Sequence, residues 1–477
     1  MGNHRKVGMR GAAAIQFASK YTSLFVQLFI TAILARLLPP EDFGTLAIIL
    51  VFLNLFIPFA DMGIGAAIIQ YQDLDDRDYG ALFTFSIFLA LALALVFCAA
   101  SVPIALFYGN DQLVPLCCVG SLSLLFATLN MVPNGLLLKD QRFLSIGLRL
   151  FVVTIVAGAV AIVMAFLGWG VYALVWHNII AGAITFFWNY LTRPIRFLTL
   201  HFIGPLKKVF SYSAFQFGSS MVNYFSTNLP NLVIGKMFGE APLGFYDKAY
   251  RLTMYPLNGI SNVIISVIQP YMAKHQDDLQ TIFSYWFKVA KALSLVGVPI
   301  AVVFFCASEE IVGIMYGDQW GSAVGLLQIL AVSIYFQLVN SVAGAFFLSA
   351  GRADLLFRSV AVSTLITVGG LGFGMVFGDL SSLALFLSIA FCLHTVPTAY
   401  YFLKRTLQQG YGCLARFLPE IGIGLLAGAL CILAEPFFPE GIVVSFVAKT
   451  LVVLAIVGAG YFLTRQYGYI KEVLRSR

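Results

Sequence analysis

A regular series of polar residues runs through an otherwise apolar stretch near the N-terminus. Its members are Gln16, Lys20, Ser23, Gln27 and Thr31. At about 3.6 residues per turn, intervals of three and four place them in one stripe on a helix. A charge such as Lys20 costs roughly 2.5–3.5 kcal/mol at the centre of a membrane helix on insertion scales. We therefore expect the stripe to face water or a ligand, and predict that Lys20 and Gln27 bind substrate.

A second charged stripe occurs in the middle of the chain, where Asp247, Arg251 and Asn258 share one helical face and Lys248 lies beside them. Asp247 and Arg251 are four residues apart and could form an ion pair. Cations outnumber acids in such segments, which predicts an electropositive cavity suited to an anion such as a pyrophosphate. The alternative is that the long basic side chains extend to the lipid headgroups. The predicted substrate-binding residues are Lys20, Gln27, Arg149, Asn223, Lys248, Arg251, Asn258, Lys288 and Lys291.

Two acids, Asp61 and Asp247, lie well inside apolar segments. Either could carry a coupling proton, and either could equally be a fixed counter-ion. The sequence has neither an ATP-binding P-loop nor a cluster with metal-ligand spacing, so we expect no cofactor, no metal site and no catalytic residues. The predicted outer loops are also too short to hold the catalytic residues of a membrane enzyme.

The chain is a polytopic all-α membrane protein by composition. It has 477 residues, of which 60% are hydrophobic and 11% charged, more apolar surface than a soluble protein of this length can bury. We predict about fourteen transmembrane helices, each needing roughly 20 apolar residues. Lys and Arg concentrate in the loops on the side of the termini, which predicts that both termini are cytoplasmic. The net charge of +7 then reflects topology and contact with membrane lipids rather than nucleic acid.

An internal repeat accompanies this pattern. The stripe that begins at Gln16 returns at Gln216 about 200 residues later, and Gly44 is matched by Gly244. We predict two parallel six-helix lobes followed by two helices, with the first helix of each lobe lining a shared cavity. The predicted divisions are 1–208 with helices 1–6, 209–405 with helices 7–12, and 406–477 with helices 13–14 and a cytoplasmic tail.

The motif order ILARLLPPEDFGTLAI, FADMGIGAAIIQ, FYGNDQLVPL and GEAPLGFYDKAYRL resembles the bacterial polysaccharide exporters related to the colanic-acid and O-antigen flippases. These belong to the multidrug/oligosaccharidyl-lipid/polysaccharide exporter superfamily. The resemblance implies two six-helix lobes plus two helices in the bacterial inner membrane. It also implies a substrate, an undecaprenyl-pyrophosphate-linked oligosaccharide moved from the cytoplasmic to the periplasmic leaflet by alternating access. A polysaccharide polymerase and glycosyltransferases are the further partners to expect.

Two other functions stay open. One is export of a peptidoglycan precursor or a small molecule by a member of the same superfamily. The other is a membrane-embedded sugar-transfer enzyme, which the short outer loops disfavour.

Overall fold

The computed structural model describes residues 9–71, 73–195, 197–272, 276, 278–466 and 468. Within these ranges, the side chains of 9–18, 207–216, 218–220, 222, 223, 226, 262, 263, 266, 267 and 269–271 are not described. Every regular element in the described ranges is helical.

The chain divides into two compact units, with the boundary between Gly244 and Phe245. The first contains the helices α1 (Met9–Leu37), α2 (Pro40–Asp61), α3 (Ile64–Gln70), α4 (Asp76–Tyr108), α5 (Leu113–Leu129), α6 (Met131–Lys139), α7 (Phe143–Phe166), α8 (Val171–Thr192) and α9 (Ile203–Phe238). In this unit α1 packs against α7, α7 against α8, and α9 against α2, α3 and α4. Helix α10 (Glu240–Met272) begins in the first unit and continues into the second.

The second unit completes the chain with α11 (Leu279–Cys306), α12 (Ser308–Met315), α13 (Gly321–Asn340), α14 (Ala343–Ser349), α15 (Ala353–Phe377), α16 (Leu380–Leu393), α17 (Thr395–Thr398), α18 (Leu418–Leu433) and α19 (Ile442–Leu463). A π-helical segment, Ala399–Thr406, follows α17, and short 3₁₀ turns lie at Asp318–Trp320, Tyr411–Phe417 and Glu435–Phe437. Helix α11 packs against α13, α18 and α19. The predicted lobe boundary at residue 208 stays a prediction.

Twelve segments of the described chain are long and apolar enough to cross a membrane by length and composition. The predicted all-helical, polytopic class is therefore confirmed. The two long helices outside that set are α9 and α10, with 36 and 33 residues. Both include side chains that are not described, so the count of fourteen stays a prediction.

The repeat is visible in local backbone geometry. Both α6 and α14 end in a turn with one residue in the left-handed region, Gln141 with φ 54° and Gly351 with φ 68°. The residue that follows, Arg142 or Arg352, donates its backbone N–H back to the preceding helix at 3.0 Å in both turns. The matching turns after α6 and α14 indicate that this one helix connection occurs in both halves of the chain.

A pair of repeat-related glycines closes the crossing of α2 with the first turn of α10. A Cβ at Gly44 would overlap the carbonyl oxygen of Glu240, and a Cβ at Gly244 would overlap that of Pro40. The two contacts are reciprocal, because Pro40 and Glu240 occupy corresponding places in the repeat. Glycine is required at both positions since backbone meets backbone.

Candidate functional site

The face of α10 that carries Asp247 and Arg251 is a charged site in the second unit. Arg251 Nε donates to Asp247 Oδ2 at 2.7 Å, so the predicted pair one turn apart forms. The Asp247 side chain is 7% exposed and the Arg251 side chain 48% exposed. The helix is held on its other side by buried Tyr246, Ala249 and Leu252. This packing leaves the half-exposed side chain of Arg251 on the accessible face.

The donors of Arg251 are only partly used. Its Nε is bound by Asp247, whereas its two terminal NH2 groups have no hydrogen-bond or ion-pair partner among the described residues. Those terminal groups can hydrogen-bond a phosphate-type anion. Asn258, two turns further on, is also exposed, while Lys248 is buried. The α10 site therefore consists of Arg251 and Asn258 at the surface, with Asp247 and Lys248 beneath.

The N-terminal stripe is partly accessible. Lys20 and Gln27 are exposed on α1, and Ser23 between them is buried. The side chains of Gln16 and Asn223 lie outside the described residues. That the α1 and α9 stripes face a shared cavity stays a prediction.

Arg149 on α7 lies in a cluster of asparagines in the first unit. Its Nη1 donates to Asn189 Oδ1 on α8 at 2.6 Å and to Asn134 Oδ1 on α6 at 3.2 Å. Asn189 in turn donates from Nδ2 to Asn130 Oδ1 at 2.7 Å. Asn130 is the residue at which α5 ends and α6 begins. The cluster thus holds a half-buried cation among neutral amides.

Lys291 was predicted to bind substrate, and the structure gives it a different environment. Its side chain is 1% exposed and forms an ion pair with Glu420 of α18, which is fully buried. It also donates to the carbonyl oxygen of Arg416 and lies 5.3 Å from the centre of the Phe417 ring. A paired cation with no accessible surface favours a structural role, so we do not carry Lys291 into the proposed site. Lys288, one turn earlier, is half-buried.

The sequence reasoning missed Glu420 as a buried acid. It lies close to Arg416 and directly after Pro419, which gives it the appearance of a cytoplasmic boundary residue. Its only available signal was a carboxylate within the first turn of an apolar helix.

The two coupling candidates both have local partners. The carboxylate of Asp61 accepts the backbone N–H groups of Gly63 and Gly65. Helix α2 ends at Asp61 and α3 begins at Ile64, and the two residues between them, Met62 and Gly63, have φ 43° and 70°. Asp61 therefore caps a helix break, and Asp247 is paired with Arg251. These contacts favour fixed structural acids, and a role for either in coupling stays a prediction.

Lys449 of α19 has no counter-ion evident from the sequence, and the structure supplies two. Its Nζ lies 2.7 Å from Glu310 of α12 and 2.7 Å from Glu435 in the turn after α18. Ser445 donates to Glu310 at 2.6 Å. This cluster fastens α19 to the rest of the second unit.

A cavity of about 250 Å³ lies in the first unit, and its lining residues are Asp76, Tyr79, Leu136, Arg193, Pro194 and Ile195. Among the described lining residues the one cation is Arg193, which is compensated by Asp76 at 3.0 Å and Asp140 at 3.4 Å. This charge balance does not suit an anion.

In the part of the chain that the structure describes, twelve apolar helical segments are long enough to cross a membrane, and they pack helix against helix as in a multi-pass membrane protein. The chain belongs to the polysaccharide biosynthesis protein family, whose profile matches residues 33–325. The resemblance drawn from the sequence motifs is thereby confirmed.

Individual relatives agree with this assignment. The chain is 24% identical to the lipopolysaccharide biosynthesis protein WzxC of Escherichia coli, over 80% of this chain and 77% of the relative. It is 22% identical to the succinoglycan biosynthesis transport protein ExoT of Rhizobium meliloti, over 77% of this chain and 75% of the relative. Its fold is similar to that of the lipid II flippase MurJ in an inward closed conformation, with a TM-score of 0.76, 15% identity and coverage of 94% and 99% of the two chains.

Proposed function

We propose that this protein is a flippase for an undecaprenyl-pyrophosphate-linked oligosaccharide. It moves the repeat unit from the cytoplasmic to the periplasmic leaflet of the bacterial inner membrane for surface polysaccharide assembly. The family assignment supports the substrate class, because relatives are named for lipopolysaccharide synthesis and for succinoglycan transport. The transporter fold supports movement of substrate rather than chemistry on it.

The observation that carries the proposal is the half-exposed side chain of Arg251, whose terminal donors are unused in the described part of the chain. A lipid-linked oligosaccharide presents a diphosphate between its sugar and its prenyl chain. The two NH2 groups of Arg251 lie on an exposed face and have no partner in the described part of the chain. Asn258 on the same face adds an amide that can hydrogen-bond sugar or phosphate. Lys20 and Gln27 on α1 are further candidates, because both are exposed.

The proposed mechanism is alternating access of two lobes, with both termini in the cytoplasm. The distribution of Lys and Arg supports this orientation. Cysteines placed at Asp111 and Glu309, both exposed, should be labelled from outside intact cells in a background without reactive native cysteines. Labelling at Arg405 instead would reverse the orientation. A polysaccharide polymerase and glycosyltransferases are the partners that supply and consume such a substrate.

Export of a peptidoglycan precursor is the second candidate, because the lipid II flippase has the same fold. That substrate also carries a prenyl diphosphate, so the α10 site would accept its anionic part. The two candidates differ in the glycan attached to the same anchor, and a direct comparison of substrates separates them.

The test is flipping by purified protein in proteoliposomes. We expect transfer of a defined oligosaccharide linked to undecaprenyl pyrophosphate, and slower transfer of the peptidoglycan precursor. Arg251→Ala should lower the rate by about tenfold or more, and Arg251→Lys should restore part of it, since Lys lacks the fork of donors. Arg358→Ala is the matched control, because Arg358 is an exposed arginine on α15 of the same unit.

Two results would contradict the proposal. Wild-type protein that moves only the peptidoglycan precursor would establish the second candidate. An Arg251→Ala protein with the wild-type rate and the wild-type melting temperature would remove the α10 site from the mechanism. The melting temperature is needed because this variant leaves Asp247 buried without its ion pair.

A further inference from the structure

Arg149 has donors that its own fold does not use. Its Nη1 makes both hydrogen bonds, to Asn189 and to Asn134. Within the described ranges, no acid pairs with Arg149, and its Nε and Nη2 have no hydrogen-bond partner. Nε and Nη2 form one edge of the guanidinium, the edge that binds two oxygens of a phosphate or carboxylate together. The Arg149 side chain is half-buried rather than sealed, so part of it stays accessible to a ligand.

The second unit shows that the asparagine cluster does not need the cation. Helix α13 ends at Asn340, which corresponds in the repeat to Asn130, and Asn340 Nδ2 donates to Thr395 Oγ1 at 2.8 Å. In the first unit Asn130 is tied to Asn189 of α8, and in the second Asn340 is tied to Thr395 of α17, each by a neutral hydrogen bond. The counterpart of Arg149 is Ser359 on α15, a buried serine. The hydrogen-bonded helix break therefore does not require the charge of Arg149.

The seam between α7 and α8 continues this polar character toward the start of α7. Arg142, two turns before Arg149, donates from Nη1 to the carbonyl oxygen of Thr192 at 3.1 Å. Trp188 donates from Nε1 to Ser145 Oγ at 2.9 Å. A tryptophan beside an arginine at a helix end is typical of the membrane–water interface. We therefore expect Arg142 and Trp188 near the membrane–water interface, with Arg149 two turns further along α7.

We propose that Arg149 forms a second anion site, in the first unit, which binds the phosphate ester of a membrane lipid through Nε and Nη2. Asn134 and Asn189 are positioning residues that fix the guanidinium through Nη1. The proposal rests on the proposed function for its ligand class. The ligand is either the diphosphate of the prenyl carrier or the headgroup of an anionic phospholipid, which share the chemistry that Arg149 recognises.

The test measures binding by the purified full-length chain, with two probes. Farnesyl diphosphate represents the carrier, and phosphatidylglycerol in nanodiscs, compared with phosphatidylcholine, represents the phospholipid. Arg149→Gln should weaken binding of at least one probe by about tenfold or more, because a charge-assisted, two-oxygen contact is lost. Arg149→Lys should keep part of the affinity. Arg358→Gln is the matched control, because Arg358 directly precedes Ser359, the counterpart of Arg149 in the second unit. The Arg358→Gln protein should bind both probes with wild-type affinity.

Loss of farnesyl diphosphate alone would assign the site to the carrier, and loss of phosphatidylglycerol alone would assign it to the phospholipid. Unchanged affinity of Arg149→Gln for both probes would overturn the proposal. If Arg149→Gln does not fold, Arg149→Lys and Asn189→Leu replace it. Wild-type affinity for both probes in both of these variants would overturn the proposal. The result is independent of flipping: a wild-type protein that binds through Arg149 but flips no lipid-linked oligosaccharide would refute the proposed function and leave this site standing.

Discussion

The ion pair of Lys291 and Glu420 offers the sharpest test of the difference between a substrate-binding cation and a structural one. The side chains are 1% and 0% exposed and lie on α11 and α18. An exposed pair contributes about 0.2–1 kcal/mol to stability. Breaking a buried pair by removing one partner costs about 3–5 kcal/mol, because the other charge is left without compensation. The burial in this structure selects the larger range.

The expected pattern has three parts. Lys291→Met should destabilise the protein by about 3–5 kcal/mol, since it strands Glu420. Glu420→Gln should cost somewhat less, because Lys291 keeps the carbonyl oxygen of Arg416 and the Phe417 ring. A double variant with Met at both positions should recover most of the loss, because apolar replacement of a buried pair is often neutral or better by about 1–4 kcal/mol. The non-additivity of the three variants is the signature of direct contact.

The measurement is the unfolding midpoint of purified protein in one detergent, with the flipping rate measured per folded molecule. Lys288→Met is the matched control, since Lys288 lies one turn earlier on α11 and is only half-buried. It should lower the midpoint less than Lys291→Met. The reasoning is refuted by a Lys291→Met protein with wild-type stability and no flipping, which would restore the substrate-binding role predicted from the sequence.

Two further predictions concern stability. Gly44→Ala should destabilise the protein by about 3 kcal/mol or more, at the upper end of overpacking effects, because the new methyl group meets the backbone of Glu240. Gly422→Ala on α18 is the control, because a Cβ there has open space and should leave the unfolding midpoint unchanged. Equal midpoints for the two variants would contradict the close crossing of α2 and α10. Burial raises the pKa of Glu310, but hydrogen bonds from Lys449 and its neighbours outweigh burial and hold that pKa below its ordinary value of 4.5. The stability that Glu310 contributes is therefore present above pH 4.5 and lost as pH falls through the lowered pKa. Glu310→Gln should therefore lose less stability on acidification than the wild type. Parallel profiles of stability against pH for the two proteins would refute this prediction.

The membrane class and the family could be predicted because they depend on local sequence properties, namely the length of apolar segments and the order of motifs. Apolar length decides which segments can cross a bilayer, and no knowledge of neighbours is needed. The repeat could be recognised in the same way, from Gly44 and Gly244, and the reciprocal backbone contacts explain why both positions are glycine. The turns at Gln141 and Gly351 show the limit of this reasoning, because equal backbone geometry is reached there with different residues.

The surroundings of the candidate site residues could be predicted only in part, because a stripe on one helix does not reveal which neighbour supplies a counter-ion. Lys291 and Arg251 have similar signals in sequence, a cation within an apolar helix. In the structure one is sealed against Glu420, while the other keeps its terminal donors accessible. The decisive partner of Lys291 lies far along the chain, on a helix that carries no stripe. Burial and pairing are properties of the packed unit and cannot be read from one helix.

The repeat itself helps to separate residues that build the fold from residues that serve the substrate. A feature present in both halves answers a need that both halves have, as the glycines at the crossing and the helix break at Asn130 and Asn340 do. A charge present in one half only is not required by the shared architecture. Arg251 corresponds to the buried Val51 by the register of the glycines, and Arg149 corresponds to Ser359. Both arginines are thus unmatched and retain unused donors. The two proposed anion sites therefore rest on residues that the shared architecture does not require, and we expect them to differ in construction between the two halves.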